Sequence, residues 1–227
     1  SGGRRLRSKC LNDPPRNPPR GSARPMSGAR SKAGLLASAP PNVRRRIVKR
    51  LGPMKREQLL DEWSFWANGA QLPPDGDWRF WLIMGGRGSG KTRAGAEWLR
   101  AQAESGRRGR FALVGPTYAD VRNVMIEGES GLLAIAPKEQ RPVFESSRGR
   151  LVWPNGAQAF AFSAESLEGL RGPQFHAAWC DEFCVWKNGE TVLSTLDMAL
   201  RLGDAPRAVI TTTPRTNPAM CALLQKP

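Results

Sequence analysis

The chain has 227 residues and a formal net charge of +15. Residues 1–56 hold sixteen basic residues against one acid, Asp13, so they carry the whole net charge and the rest of the chain is balanced. No apolar run approaches the roughly 20 residues of a membrane span, and the four cysteines lack the paired spacing of a zinc site. We therefore expect a reduced, cytoplasmic protein with one globular domain.

Residues 1–54 are rich in proline and arginine and have few large apolar side chains. Such a segment buries too little surface to offset the entropy of ordering, so we expect a disordered basic arm. A basic arm can bind nucleic acid through phosphate contacts. The alternatives are an unstructured leader, or sequence upstream of a start at Met26 or Met54.

From residue 55 onward, apolar patterns with helical and strand spacing alternate. Strands are predicted over 79–84, 110–117, 175–182 and 207–214, with a hairpin over 150–163 that turns at Asn155-Gly156. Helices are predicted over 55–69, about 91–105, about 119–134 and about 189–202, with a short one near the end. This alternation predicts a single α/β domain over 55–227, with a mainly parallel sheet flanked by helices.

The segment between the strand at 79–84 and the next helix fits the pattern G-x-x-x-x-G-K-[ST]. Its glycines allow a tight turn whose amide groups can approach a polyphosphate, next to the positive end of a helix. The predicted nucleotide-binding residues are Gly85, Gly86, Arg87, Gly88, Ser89, Gly90, Lys91 and Thr92. In such a loop the lysine reaches the β- and γ-phosphates and the threonine hydroxyl binds Mg²⁺.

A pair of acids, Asp181 and Glu182, ends the apolar strand "FHAAWC" about 90 residues later. Asp181 is predicted to bind Mg²⁺ at the edge of the sheet. Glu182, on the other side of the backbone, is predicted to activate the attacking water. Together with the phosphate loop, the pair predicts ATP hydrolysis, and an exposed acid pair at a strand end is the alternative.

Three further features are candidates for catalysis or coupling. Arg87 lies inside the phosphate loop, and Arg171 precedes Asp181 by ten residues, so either guanidinium could stabilise charge on a transferred phosphoryl group. The strand "AVITTTP" ends in Thr211, Thr212 and Thr213, whose hydroxyls could sense the γ-phosphate. As alternatives, Arg87 is simply solvated, Arg171 pairs with Glu165 or Glu168, and the threonines are ordinary strand residues.

The strand at 110–115, between the loop strand and the acidic strand, resembles the additional-strand, catalytic-Glu division of P-loop ATPases. Within that division, "WLIMGGRGSGKTRAGAEW", "LRGPQFHAAWCDE" and "VITTTPR" closely resemble the large terminase subunit of tailed phages, most of all the prophage and gene-transfer-agent type. The resemblance covers about residues 55–227. It implies an ATPase motor that translocates double-stranded DNA into a procapsid.

Carried over by position, the resemblance makes 85–92 the Walker A loop, 181–182 Walker B and 211–213 the coupling motif. Arg171 lies where the family can carry a trans-acting arginine, and Gln71 is similar to an adenine-recognising glutamine, with an ordinary loop glutamine as the alternative. The resemblance also implies ATP and Mg²⁺ as ligands. The implied partners are DNA, a portal protein and a small terminase subunit, in a homo-oligomeric ring in the bacterial cytoplasm with no membrane involved.

The chain departs from that family beyond the motor region. Large terminases continue into a nuclease domain with several acidic metal ligands, whereas the last acid here is Asp204. We therefore expect no nuclease activity from this chain. The alternatives to a packaging motor are a truncated remnant that binds nucleotide or DNA without turnover, and a helicase-like ATPase.

Overall fold

The computed structural model describes residues 24–25, 30–106, 108–215 and 217–225. The predicted α/β fold with a mainly parallel sheet is confirmed. The strands within the described residues are β1 (Arg24–Pro25), β2 (Phe80–Met84), β3 (Arg110–Gly115), β4 (Val143–Glu145), β5 (Arg150–Val152), β6 (Gln158–Ser163), β7 (Ala177–Asp181) and β8 (Arg207–Thr212).

Helices cover both faces of this sheet and also precede it. They are α1 (Lys32–Ser38), α2 (Pro41–Arg50), α3 (Gly52–Asp61), α4 (Trp63–Trp66), α5 (Lys91–Glu104), α6 (Tyr118–Asp120), α7 (Leu132–Ile135), α8 (Gly189–Ala199) and α9 (Pro218–Gln225), with a π-helical turn over Val121–Ile126. Within the described residues, none of these helices combines the length and the apolar character that crossing a bilayer requires.

The strand order across the sheet is β1-β2-β8-β7-β3-β6-β5-β4. Neighbouring strands are parallel in the run β1-β2-β8-β7-β3-β6. Beyond β6, strands β5 and β4 are added in antiparallel pairs. The strand that separates the loop strand β2 from the acidic strand β7 is therefore β8, not residues 110–115 as the sequence order suggested. Helical crossovers let strands that follow one another along the chain take distant places in a parallel sheet.

Two apolar cores lie on opposite faces of the sheet, and alternate residues of β7 enter each of them. Trp179 packs with Trp81 and Leu113 on the face covered by α5. Cys180 packs with Ile210 on the face covered by α8. Burial on both faces explains why these strands are almost continuously apolar in sequence.

Two predicted helices are shorter than expected. The helix predicted over 55–69 breaks at Glu62, whose backbone is extended (φ −84°, ψ 94°) and whose carboxylate accepts a hydrogen bond from Ser64 at 2.7 Å. The helix predicted over 119–134 changes to a π-turn and stops before Gly128, where a Cβ would lie 2.7 Å from the carbonyl of Val124. Local hydrogen bonds and close backbone approaches override the helical spacing at both sites.

The hairpin predicted over 150–163 is confirmed as the β5–β6 pair, but its turn differs from the two-residue form. The Gly156 amide donates to Trp153 and the Trp153 amide donates to Ala157, which closes a three-residue loop. Gly156 occupies the left-handed region (φ 84°), as the last residue of such a loop requires.

The basic segment differs from the prediction where the structure describes it. Residues 30–54 form α1, α2 and the start of α3, so the prediction of disorder over 1–54 is wrong in this part. Ser31 caps α1 by accepting the amide of Gly34 at 2.9 Å, and Pro41 opens α2. The rest of the predicted arm, residues 1–23 and 26–29, lies outside the described residues.

Candidate nucleotide-binding site

The glycine-rich loop connects β2 to α5 at the carboxyl edge of the sheet. Gly88 (φ 73°) and Gly90 (φ 79°) lie in the left-handed region, which favours glycine. A Cβ on Gly86 or Gly88 would meet no atom within 4 Å, so the loop backbone faces open space. The amide of Gly85 donates to the carbonyl of Thr212 at 3.2 Å, which ties the loop to β8.

Gln71 lies against this loop. Its Nε2 donates to the carbonyl of Ser89 at 3.1 Å, and its Oε1 accepts the amide of Asn68 at 3.0 Å. A Cβ on Gly90 would lie 2.4 Å from that Nε2, so only glycine leaves room for the contact. The residue predicted to recognise adenine therefore supports the phosphate loop, and its role toward a base stays a prediction.

The acid pair ends β7 opposite the loop. Glu182 has a left-handed backbone (φ 50°, ψ 45°), and it is the one residue other than glycine with positive φ in the described part of the chain. Such a conformation costs on the order of 1–3 kcal/mol and is concentrated at functional sites.

Lys91 and Glu182 form an ion pair, with Nζ 3.0 Å from Oε1. The same carboxylate accepts hydrogen bonds from the amide and the hydroxyl of Thr213, each at 3.1 Å. Burial alone would raise the pKa of Glu182, but the bonds and charge of Lys91 and the bonds from Thr213 outweigh it and lower that pKa. Residues from the loop, β7 and the end of β8 thus meet at one carboxylate.

Asp181 is almost completely buried and accepts a hydrogen bond from the hydroxyl of Thr211. Burial raises the pKa of Asp181 to about 6, although the bond from Thr211 opposes the shift.

Trp179 belongs to the same network, although it was not among the predicted site residues. Its Nε1 donates to the hydroxyl of Thr211 at 2.9 Å, and that hydroxyl has the carboxylate of Asp181 and, at 3.1 Å, the carbonyl of Cys180 as acceptors for its single hydrogen. A Cβ on Gly95 of α5 would lie 2.4 Å from the same Nε1. Trp179 precedes Asp181 by two residues and so shares its face of β7, which is a signal present in the sequence.

The three consecutive threonines contact three different parts of the site. Thr211 binds Asp181, and Thr213 binds Glu182. The hydroxyl of Thr212 accepts the amide of Cys184, just after the acid pair, at 2.9 Å, and its carbonyl accepts the amide of Gly85. The end of β8 is therefore hydrogen-bonded to both the phosphate loop and the acidic segment.

Neither candidate arginine is held in the site. Arg87 and Arg171 are both exposed, and neither makes an ion pair or a side-chain hydrogen bond with another described residue. The alternative pairing of Arg171 with Glu165 or Glu168 is thus not seen among those residues. Both guanidinium groups remain available to a ligand or to another molecule.

The residues at this edge fit a magnesium-bound nucleotide. The loop presents backbone amides to open space, and Lys91 supplies the cation beside them. Thr92, in the first turn of α5, has a hydroxyl without a hydrogen-bond partner among the described residues, and Asp181 supplies a carboxylate. Hydroxyl and carboxylate oxygens are the hard ligands that Mg²⁺ prefers.

The loop strand β2 is separated by one parallel strand, β8, from β7, which ends in the Asp-Glu pair, and this order is that of the additional-strand type of P-loop fold. The family model described as "Terminase large subunit, T4likevirus-type, N-terminal" matches residues 82–226. The chain belongs to this family.

Solved structures support the same fold. The large terminase ATPase domain of Thermus phage P74-26 is 18% identical, with a TM-score of 0.55 over 70% of this chain and 68% of that one. A large terminase from a thermophilic bacteriophage, solved in complex with ADP, is 15% identical, with a TM-score of 0.51 over 70% of this chain and 38% of that one.

The HK97 bacteriophage large terminase is 20% identical, with a TM-score of 0.50 over 64% of this chain and 31% of that one. The chain therefore spans well under half of the two larger terminases. A comparison with curated proteins found no match.

Proposed function

We propose that this chain is the ATP-hydrolysing motor of a terminase large subunit and translocates double-stranded DNA into a viral procapsid. The observation that carries the proposal is the ion pair between Lys91 and Glu182, at 3.0 Å, because it brings the phosphate loop and the acid pair to one place. Membership of the terminase family supports the DNA-packaging role. ADP in the solved terminase named above supports nucleotide binding.

The loop residues Gly85 to Thr92 would hold the triphosphate through their amide groups and through Lys91. Thr92 and Asp181 would hold Mg²⁺, which supplies charge neutralisation at the phosphates when bound. Gln71, which already supports the loop, would contact the adenine.

Glu182 would act as the general base that orients and deprotonates the attacking water. Its carboxylate is engaged with Lys91 and Thr213 in the structure, so it must leave the lysine before it can accept a proton from water. Transfer of Lys91 to the phosphates of the substrate would release it. The lowered pKa keeps Glu182 ionised while it is paired, and departure of Lys91 would remove the largest contact that lowers it, so the carboxylate would then accept a proton more readily.

Arg171 or Arg87 would neutralise the charge that develops during phosphoryl transfer. Arg171 is exposed and unpaired among the described residues, as expected for a group that acts on a neighbouring subunit of a ring. The threonines at 211–213 would pass the loss of phosphate from the acid pair to the segment that follows β8, which includes α9. The partners would be a portal protein and a small terminase subunit in the bacterial cytoplasm.

The deciding experiment measures ATP hydrolysis by the full 227-residue chain with and without duplex DNA, with Lys91→Ala as the inactive control. We expect magnesium-dependent hydrolysis that duplex DNA stimulates and that the control lacks. Nucleotide binding without turnover would instead indicate a remnant, and strand separation of a duplex would indicate a helicase-like ATPase.

A further inference from the structure

Helix α2 carries a stripe of cationic side chains along one face. Arg45, Arg46, Lys49 and Arg50 have the spacing i, i+1, i+4 and i+5, which places them on the same side of a helix. With Asn42 they line a shallow surface depression of about 520 Å³. We call these four residues the α2 stripe.

The charge of the α2 stripe is not neutralised by its surroundings. All four side chains are exposed, and none of them makes an ion pair with another described residue. The chain has no acid at all between residues 14 and 56. By contrast, Arg100 in the α/β domain is paired with both Glu97 and Glu104.

We propose that the α2 stripe is a docking surface for the phosphate backbone of double-stranded DNA, separate from the nucleotide site. The inference rests on the proposed function for the identity of the polyanion. A ten-residue helix is about 15 Å long, and a duplex presents one phosphate for about every 1.7 Å of its axis, so each cation of the stripe can face a phosphate. The forked guanidinium of arginine matches phosphate oxygens well.

The opposite face of α2 argues against a membrane surface as the ligand. That face carries Arg44, Ile47 and Val48, with no aromatic residue and no leucine. Helices that lie in a membrane interface bury a broad apolar face that contains such large side chains. The chemistry of α2 therefore favours a partner that is charged and hydrated.

Phosphate contacts carry no sequence information. A motor that moves along any duplex needs contacts of this kind, because base-specific contacts would hold it at particular sites. The α2 stripe would thus retain DNA near the motor while the α/β domain turns over nucleotide.

The test measures binding of a fluorescein-labelled, random-sequence 30-base-pair duplex by anisotropy, over a series of salt concentrations and without nucleotide. The stripe variant replaces all four cations by glutamine, which forms helices about as well as arginine and lysine. Each lost phosphate contact lowers the salt dependence of log K by about 0.9. We expect the slope to fall by roughly 3 to 4 and the affinity at 0.1 M salt to fall at least tenfold.

Arg44→Gln is the matched control, because Arg44 lies on the same helix but on the opposite side from the stripe, with its guanidinium donating to the carbonyl of Ala37 at 3.1 Å. The single variants Arg45→Gln and Arg46→Gln should each lower the slope by about one, and Arg44→Gln should leave it nearly unchanged. Equal effects at positions 44 and 45 would show that only net charge matters and would overturn the assignment. The singles also keep the test valid if the fourfold variant fails to fold.

Two other results would also overturn the inference. One is an unchanged slope in the stripe variant. The other is tighter binding of the wild type to vesicles of 3:1 phosphatidylcholine and phosphatidylglycerol than to duplex. ATP hydrolysis in the absence of DNA separates this inference from the proposed function. The stripe variant should hydrolyse ATP without DNA at the wild-type rate and should lose only the increase in rate that duplex DNA causes. A wild type that binds duplex through the stripe but hydrolyses no ATP would refute the motor and leave the docking surface standing.

Discussion

The carboxyl edge of the sheet and helix α2 treat charge in opposite ways. At the sheet edge, Lys91 and Asp181 are buried, and each has a partner within hydrogen-bond distance. On α2, Arg45 and Lys49 are exposed, and they have no ion-pair partner within the described part of the chain. A buried charge is costly unless it is paired, so partners fix the positions of the charges at the sheet edge. The exposed cations of α2 instead form a positive surface that can attract an extended anion.

Arg171 is exposed like the cations of α2, but its proposed role is in catalysis like that of the buried groups. It therefore tests whether the two regions differ in function. If Arg171 rather than Arg87 supplies the proposed stabilising charge, Arg171→Ala should lower the rate of ATP hydrolysis by about 10³ to 10⁵. Arg201→Ala, another exposed arginine, should have little effect. Steady-state ATPase assays in the presence of duplex DNA measure both.

Mixing experiments show where Arg171 acts. If it acts on a neighbouring subunit, Arg171→Ala mixed with Glu182→Gln should recover part of the activity, since one protein supplies the site and the other supplies the arginine. If activity does not recover although the two variants associate, Arg171 acts within its own chain. Wild-type activity of Arg171→Ala alone would remove it from the mechanism.

Replacing Glu182 tests the role of the paired charges at the sheet edge directly. Glu182→Gln should lower turnover by about 10² to 10⁴, which is typical for loss of a general base, and should retain ATP binding. Binding should become tighter, because Lys91 no longer has to leave a carboxylate. Hydrolysis rates and the affinity for a fluorescent ATP analogue are the measurements, with the exposed Glu190→Gln as control. Hydrolysis at the wild-type rate would exclude Glu182 as the base.

Asp181 should make stability depend on pH. Its pKa is raised to about 6 from an ordinary value of 3.8, so the folded state retains the proton more strongly. This contribution to stability is complete below pH 3.8 and is lost as pH rises through 6. Asp181→Asn avoids that loss and should be more stable than the wild type by up to about 3 kcal/mol at pH 8.

Urea unfolding at pH 4 and pH 8 measures this difference. The two proteins should converge at the lower pH, and Asp204→Asn, at an exposed acid, is the control for removing a surface charge. A gap between Asp181→Asn and the wild type that is the same at both pH values would contradict the assigned burial effect.

Trp179 and Trp153 are both buried, but only the indole N–H of Trp179 has a hydrogen-bond partner among the described residues. Trp179→Phe removes the donor that orients the hydroxyl of Thr211, so the Mg²⁺ concentration for half-maximal ATPase should rise a few-fold. Trp153→Phe removes an Nε1 that has no hydrogen-bond partner among the described residues, so that value should not change. Equal magnesium dependence in the two variants would show that Trp179 only fills space.

The phosphate loop and the parallel strands were predictable because their signals are local. Four glycines and a lysine between an apolar run and a helical pattern restrict the backbone on their own, and strands buried on both faces are apolar throughout. The Asp-Glu pair at the end of β7 was visible for the same reason. These features do not depend on knowing which elements become neighbours.

The contacts between elements were not predictable in the same way. The pairing of Lys91 with Glu182 depends on the left-handed backbone at Glu182, a conformation that side chains other than glycine rarely adopt. The place of β8 between β2 and β7 depends on crossovers over the whole domain. Helical order at 32–50 was missed because α1 and α2 bury no side chain, so composition indicated disorder although capping and local propensity favour helix.

The ion pair between Lys91 and Glu182 would also have a consequence for the proposed motor between cycles of hydrolysis. While Lys91 holds the carboxylate, Glu182 would not be free to act on water, so a site without a complete triphosphate would stay inactive. A nucleotide with too few phosphates to draw Lys91 away would leave the pair intact. Under the proposed mechanism, one contact would therefore distinguish hydrolysed from intact nucleotide.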